Sequence, residues 1–217
     1  MTIKVGINGM GRIGRMVIRA IIESKNKNIE IKHINNRSNS EASCTLIKYD
    51  SVHGKFDADL GFDKDHLIIN KNKITFSQES KIEDINWKKF NVDYVFECTG
   101  KFNSKDKLLA HIKNGAKKVI VSAPCKDADK TIVYGVNENL LTKDDQIISA
   151  ASCTTNCLAP VANVLNEKFE IEKGFMTTIH AFTSDQRILD NSHKDPRRAR
   201  SASQSIVPTS TGASKAI

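Results

Sequence analysis

Short apolar runs alternate with stretches of helical spacing through the first 150 positions. Ile3-Lys-Val-Gly-Ile-Asn8 is brief and rich in β-branched residues, which predicts a buried strand. Residues 12–22 then repeat apolar side chains at helical spacing, and Ile29-Glu-Ile-Lys-His-Ile34 predicts a second strand. Together they form a β-α-β unit. Further strand-like runs fall at 67–69, 92–96, 118–122 and 146–151, with a helical pattern at Lys105 to Lys113 between two of them. Such alternation implies a parallel sheet with helices on both faces. The loops at Thr99-Gly100 and Ser122-Ala-Pro124 then lie at the carboxyl ends of strands, where such sheets bind ligands.

Between the first strand and its helix stands Gly9-Met-Gly-Arg-Ile-Gly14. A lone G-x-G-x-x-G says little, but this one leaves a strand and opens a helix. In that setting the glycines allow a tight turn and close approach of backbone to a pyrophosphate, with the helix N-terminus facing the phosphate charge. An ordinary strand-to-helix turn is the plainer reading.

A second strand-to-helix junction follows the run at 146–151. Residues 152–157 read Ser-Cys-Thr-Thr-Asn-Cys, and 158–165 repeat apolar residues at helical spacing. Cys153 should meet the unpaired N–H groups and positive end of a helix, which favours thiolate and makes a sulfur nucleophile available. Alternatively Cys153 and Cys157, four apart, are two small core residues on one turn. Residues 176–182, Met-Thr-Thr-Ile-His-Ala-Phe, predict a strand carrying His180. A histidine on a strand is commonly a core residue, yet a Cys and a His distant in sequence are the usual parts of an activated thiol. Beyond 183 the apolar periodicity fades into a charged stretch and then Ser201 to Thr211, which reads as an exposed loop.

Composition narrows the class. At 217 residues, with 39% hydrophobic and 27% charged positions, the sequence fits a soluble globular protein of one large or two small domains. No apolar run approaches the roughly 18 residues that span a bilayer, so no membrane association is expected. The first residues are a strand running into a glycine loop, unlike a signal peptide. Five cysteines without framework spacing suggest a reducing compartment, hence a cytoplasmic protein. The formal charge of +8 comes from scattered lysines, as in Lys25-Asn-Lys-Asn28, without a nucleic-acid module, so no nucleic-acid partner is expected. No residue is assigned to a metal.

Taken together, Ser152-Cys-Thr-Thr-Asn-Cys-Leu-Ala-Pro160, His180 and Pro208-Thr-Ser-Thr-Gly-Ala213 closely resemble the phosphorylating glyceraldehyde-3-phosphate dehydrogenases. The likeness runs from residue 3 to the last residue. It implies an α/β fold: a Rossmann-type dinucleotide-binding domain over 1–151, then an incomplete α+β catalytic domain over 152–217. It implies that Cys153 attacks the aldehyde of glyceraldehyde 3-phosphate while His180 pairs with the thiol and serves as acid and base. The dinucleotide, NAD or NADP, would be held by Gly9, Gly11, Arg12, Ile13, Gly14, Asn36, Arg37, Gln78, Thr99 and Ser122, with Asn191 and Ser192 reaching a neighbouring subunit's cofactor. Ser152, Thr154, Thr211 and Gly212 resemble the inorganic-phosphate site. Thr183, Asp185 and Arg200 resemble the site for the substrate's own phosphate, although a run such as Arg197-Arg-Ala-Arg200 is by default a solvated face. The same resemblance implies a homotetramer. It also implies that the chain stops about a third short of a family member, so that strand edges and apolar residues such as Phe175 and Ile179 would be uncovered.

One departure concerns the cofactor. The second strand ends in Ile34-Asn-Asn-Arg37, where relatives that use NAD carry an acid for the ribose hydroxyls. Loss of that carboxylate removes its repulsion of a 2′-phosphate, and Arg37 could pair with one. Asn191-Ser192 replaces a Leu-Pro typical of strictly NAD-dependent relatives. Both point to NADP use; neutral drift in an asparagine-rich chain is the plainer account. Two other functions stay open: a cofactor-binding fragment without turnover, and a dehydrogenase of erythrose 4-phosphate.

Overall fold

The computed structural model describes residues 2–211, so Gly212 lies outside the described residues. The chain divides into two compact units, Met1–Ser152 and Cys153–Ile217.

In the first unit the chain runs β1 (Ile3–Asn8), α1 (Arg12–Glu23), β2 (Ile29–Asn35), α2 (Ser40–Lys48) and a small antiparallel pair, β3 (Tyr49–Asp50) with β4 (Gly54–Lys55). There follow β5 (Leu60–Asp63), β6 (His66–Ile69), β7 (Asn72–Ser77), β8 (Tyr94–Glu97), α3 (Lys105–Lys113), β9 (Lys118–Val121), β10 (Lys130–Thr131) and β11 (Ile147–Ser149). Nine strands form one sheet in the order β10-β11-β9-β8-β1-β2-β7-β6-β5. β1 pairs in parallel with β2 and β8, and because it is central its last four residues are all buried.

The sheet departs from the expected all-parallel form at one edge. β5, β6 and β7 make an antiparallel meander, because the connections at 64–65 and 70–71 are too short for a parallel crossover. Asn70 and Lys71 take φ of 49° and 68° to make the second turn. Helix α2 did not announce itself in the apolar pattern. It is started by Asn39, whose side chain accepts from the Ala42 N–H at 2.9 Å, and it buries Ser40, Ser43, Cys44 and Ile47.

Two apolar clusters hold the unit together. One joins Val5, Ile7, Ile18, Ile34, Ile47 and Phe56; the other joins Trp87, Val95, Leu108, Val119 and Ile147. Arg19, on α1, is buried 96% with no carboxylate partner among the described residues. Its guanidinium instead donates to the carbonyls of Ile47 and Gly54 at 2.7–3.0 Å and lies over the Phe56 ring.

The second unit opens with α4 (Cys153–Phe169). The strand expected at 176–182 is absent: residues 170–183 form neither helix nor strand, and Phe175 and Ile179 are fully or nearly fully exposed. The β-branched composition is present, but a strand exists only through a ladder partner, and none is found among the described residues. Past it, turns are tied by a bridge between Arg187 and Ser201.

Candidate functional site

The first unit carries a cleft of about 210 Å³ at the carboxyl ends of β1, β2 and β8. Gly9, Gly11, Asn36, Arg37 and Thr99 line it, together with Asn8, Asn35, Glu79, Lys81 and Lys101. Arg12, Ile13, Gly14, Gln78 and Ser122 do not. Arg12 turns to Asp50, 2.9 Å away, whose carboxyl is held below its ordinary value by that guanidinium and by the His53 and Val52 N–H groups. Gln78 donates to the Arg37 carbonyl at 3.1 Å. Ser122 lies against the buried Cys98 thiol, which burial pushes up to about 12.

The glycine loop takes its shape from two positions. Gly9 has a φ of 97°, a region costly to any residue with a Cβ. At Gly14 a Cβ would lie 2.0 Å from the Gly9 carbonyl oxygen, so only glycine lets α1 approach the loop this closely. Gly11, in contrast, faces space: nothing lies nearer than 3.9 Å to its Cβ position. It precedes α1 with no side-chain cap and no acid in the first helical turn. The first N–H groups of α1 therefore receive no side-chain oxygen from the capping residue and no carboxylate from the helix's own first turn, which suits a bound anion. On these grounds the loop fits the pyrophosphate of a dinucleotide.

Asn36 does more than stand where an acid was expected. Its side-chain oxygen accepts from the Met10 N–H at 3.2 Å, and its amide donates to the Ser43 hydroxyl at 3.1 Å, tying the glycine loop to α2. Arg37 is exposed. Among the residues lining the cleft, Glu79 is the sole acid, against Arg37, Lys81 and Lys101.

In the second unit Cys153 is the first residue of α4, exposed, with its sulfur 3.0 Å from His180 Nε2. His180 Nδ1 lies 2.6 Å from the Ala181 carbonyl, which can only accept, so Nδ1 carries a hydrogen and Nε2 is turned to the sulfur. What desolvation Cys153 suffers would raise its pKa, but the hydrogen bond and charge of His180 and the N–H and hydroxyl of Thr154 outweigh it, and the net shift is downward from 9.0. His180 moves the other way, upward from 6.5, through its bond to Ala181 and then through the thiolate. Each partner favours the charged form of the other. The pair is assembled without a strand beneath His180, by a segment that is neither helix nor strand. Cys157, one turn further, is also exposed, so the two cysteines are not a core pair.

Thr183 and Asp185 share a turn, with the Asp185 N–H 3.4 Å from the Thr183 hydroxyl. Arg200 does not join them: it ion-pairs with Asp190 at 2.8 Å and is largely exposed. Arg198 takes that place instead. It pairs with Asp185 and donates to the Thr209 hydroxyl at 2.7 Å and the Ser210 carbonyl at 3.2 Å, next to Thr211. The run 197–200 offers three arginines whose order does not distinguish them, so no sequence signal singled this one out. The Asn191 side chain accepts from the Ser192 N–H at 2.7 Å, and the Ser192 carbonyl accepts from Arg187 at 2.9 Å.

Comparison with known proteins gives the family of the chain. The glyceraldehyde 3-phosphate dehydrogenase NAD-binding domain matches residues 3–105, and the C-terminal domain of the same family matches 152–217. The whole chain is 52% identical to a glyceraldehyde-3-phosphate dehydrogenase of Cereibacter sphaeroides, covering 65% of that protein. It is 50% identical to glyceraldehyde-3-phosphate dehydrogenase 2 of Bacillus subtilis and to the Geobacillus stearothermophilus protein of that name, covering 64% of each. The chain thus spans somewhat less than two thirds of the length of the curated relatives it matches. Among the described residues no helix is long and apolar enough to cross a membrane. With both domain types in order and half of all positions shared, the chain belongs to the glyceraldehyde-3-phosphate dehydrogenase family.

Proposed function

We propose that this protein oxidises glyceraldehyde 3-phosphate, with inorganic phosphate, to 1,3-bisphosphoglycerate, or runs the reverse reaction. The observation that carries this reading is the Cys153–His180 contact at the start of a helix, with thiol and imidazole shifted in opposite directions. The Cys153 thiolate attacks the aldehyde carbon, and His180 gives a proton to the carbonyl oxygen and takes it back as the hemithioacetal is oxidised. A dinucleotide held by the first unit supplies the oxidising power by accepting hydride. The thioester on Cys153 is then open to phosphate, which leaves with the acyl group and returns the thiolate.

Residues 1–151 serve as the dinucleotide-binding domain and 152–217 as the start of the catalytic domain. Ser152, Thr154, Thr211 and Gly212 receive inorganic phosphate. Thr183 and Asp185 receive the substrate's phosphate with Arg198 rather than Arg200, because Arg198 joins that turn to Thr209 and Ser210. NADP is taken well, with NAD second; the neutral Asn36 and the excess of cations lining the cleft support this. The protein works as a cytoplasmic homotetramer.

The test is aldehyde- and phosphate-dependent reduction of each dinucleotide. Wild type is expected to turn over both with preference for NADP. Cys153→Ser should lose turnover yet keep its dinucleotide Kd. Turnover by that variant, an acyl group trapped on Cys157, or a large preference for NAD would count against the corresponding part.

A further inference from the structure

Beneath the cleft lies a charge that the reaction does not use. Glu97, the last residue of β8, is 1% exposed and has no lysine or arginine partner among the described residues. Its carboxylate is instead surrounded by donors. Oε2 accepts from Asn8 Nδ2 at 2.6 Å and from His111 Nε2 at 3.0 Å; Oε1 accepts from the Thr99 N–H at 2.8 Å and the Thr99 hydroxyl at 2.5 Å. The Trp87 indole donates to His111 Nδ1 at 2.9 Å, so that nitrogen must accept and the ring hydrogen must sit on Nε2, facing Glu97.

The connections continue across the sheet. Asn8 Oδ1 accepts from Asn35 Nδ2 at 2.8 Å. Asn35 then grips the loop after β7 twice, donating to the Glu79 carbonyl at 3.0 Å and accepting the Glu79 N–H at 2.8 Å. Thr99, Asn8, Asn35 and Glu79 line the cleft, whereas Glu97, His111 and Trp87 do not. One hydrogen-bonded line therefore joins the two walls of the cleft through its floor, and its charged member is hidden underneath.

We propose that Glu97 is a positioning residue for the dinucleotide: its carboxylate, held from behind by His111, sets Thr99 and Asn8 and through them the separation of the cleft walls. This rests on reading the cleft as the dinucleotide site. A glutamine at 97 has the same shape but cannot accept four bonds. With its oxygen toward Thr99, its NH2 group meets Asn8 and His111, and the imidazole cannot change tautomer without opposing Trp87. With its oxygen the other way, the NH2 group meets the fixed Thr99 N–H. Either arrangement sets donor against donor.

The experiment measures the Kd of NAD and NADP calorimetrically, at a temperature where thermal melts show each protein folded. Glu97→Gln is expected to bind about tenfold more weakly than wild type, with the alkylation rate of Cys153 unchanged. His111→Leu, altered at a position off the cleft, should weaken binding several-fold. His111→Gln can still donate to Glu97 and accept from Trp87, and should bind within about twofold of wild type. Folded Glu97→Gln or His111→Leu protein with wild-type affinity overturns the inference and leaves the cleft assignment standing. If Glu97→Gln does not fold, the two His111 variants decide. A wild-type protein that binds neither dinucleotide overturns both.

Discussion

Two substitutions in the glycine loop should separate folding from cofactor binding. In Gly14→Ala the new methyl would lie 2.0 Å from the Gly9 carbonyl oxygen and 3.1 Å from its carbon. Carbon–oxygen contacts rarely close below about 3.3 Å, so α1 must withdraw by about 1.3 Å or the loop must deform. Overpacking of a filled site costs about 1–3 kcal/mol, and the upper end applies because the obstacle is backbone on a turn already fixed by Gly9. Alanine returns up to about 1 kcal/mol of helix propensity. The net loss is about 2 kcal/mol, or about 4–8 °C in Tm for a unit of this size. In Gly11→Ala nothing lies nearer than 3.9 Å to the added carbon, and Gly11 already has a φ of −68° that alanine adopts freely. Its Tm should stay within about 2 °C of wild type, because no contact is forced. Dinucleotide affinity should nevertheless fall at least about tenfold, since the methyl occupies the space into which a pyrophosphate must come. Thermal melts by circular dichroism, paired with calorimetric titration, read both quantities. A Gly14→Ala protein as stable as wild type would refute the packing argument. A Gly11→Ala protein that binds dinucleotide normally would refute the placement of the pyrophosphate.

The remaining predictions concern ionisation. His180→Asn removes the hydrogen bond and charge that lower the Cys153 thiol while its desolvation persists, so the midpoint of iodoacetamide alkylation against pH should move upward and the rate at pH 7 should drop; an unmoved midpoint would sink the ion-pair reading. Asp129 resists a desolvation that would raise it: the N–H groups of Ile147 and Gln146 and the ammonium of Lys105 bring it down to about 2. A carboxyl lowered by folding adds stability above its unfolded value and loses it as pH falls through the folded one. Asp129→Asn should therefore flatten the decline of stability between about pH 4 and pH 2, and urea midpoints that fall as steeply as those of wild type would contradict it.

Local sequence determined much of the first unit. β1, α1, β2 and α3 follow from their apolar periods, because each has neighbours on the face its pattern predicts. The glycine loop and the thiol at the head of α4 were legible for the same reason: a helix start is a local event, and both lie at junctions that adjacent residues specify. What depended on distant partners was not legible. Ser40–Lys48 has too few apolar residues to show a clear helical period, and the packing of Ser43, Cys44 and Ile47 behind the Asn39 cap makes it α2. The segment 176–182 has strand composition, but with no paired neighbour among the described residues it forms no strand and still delivers His180 to the sulfur. Nor could the choice of Arg198 over Arg200 be read from a run of three arginines; it depends on which guanidinium faces Asp185 after the chain has turned twice. The Glu97 line is the fullest case. Its members lie at positions 8, 35, 79, 97, 99 and 111, and no periodicity connects them. A parallel sheet brings strand ends side by side regardless of their separation in sequence, so only the folded sheet makes these residues neighbours.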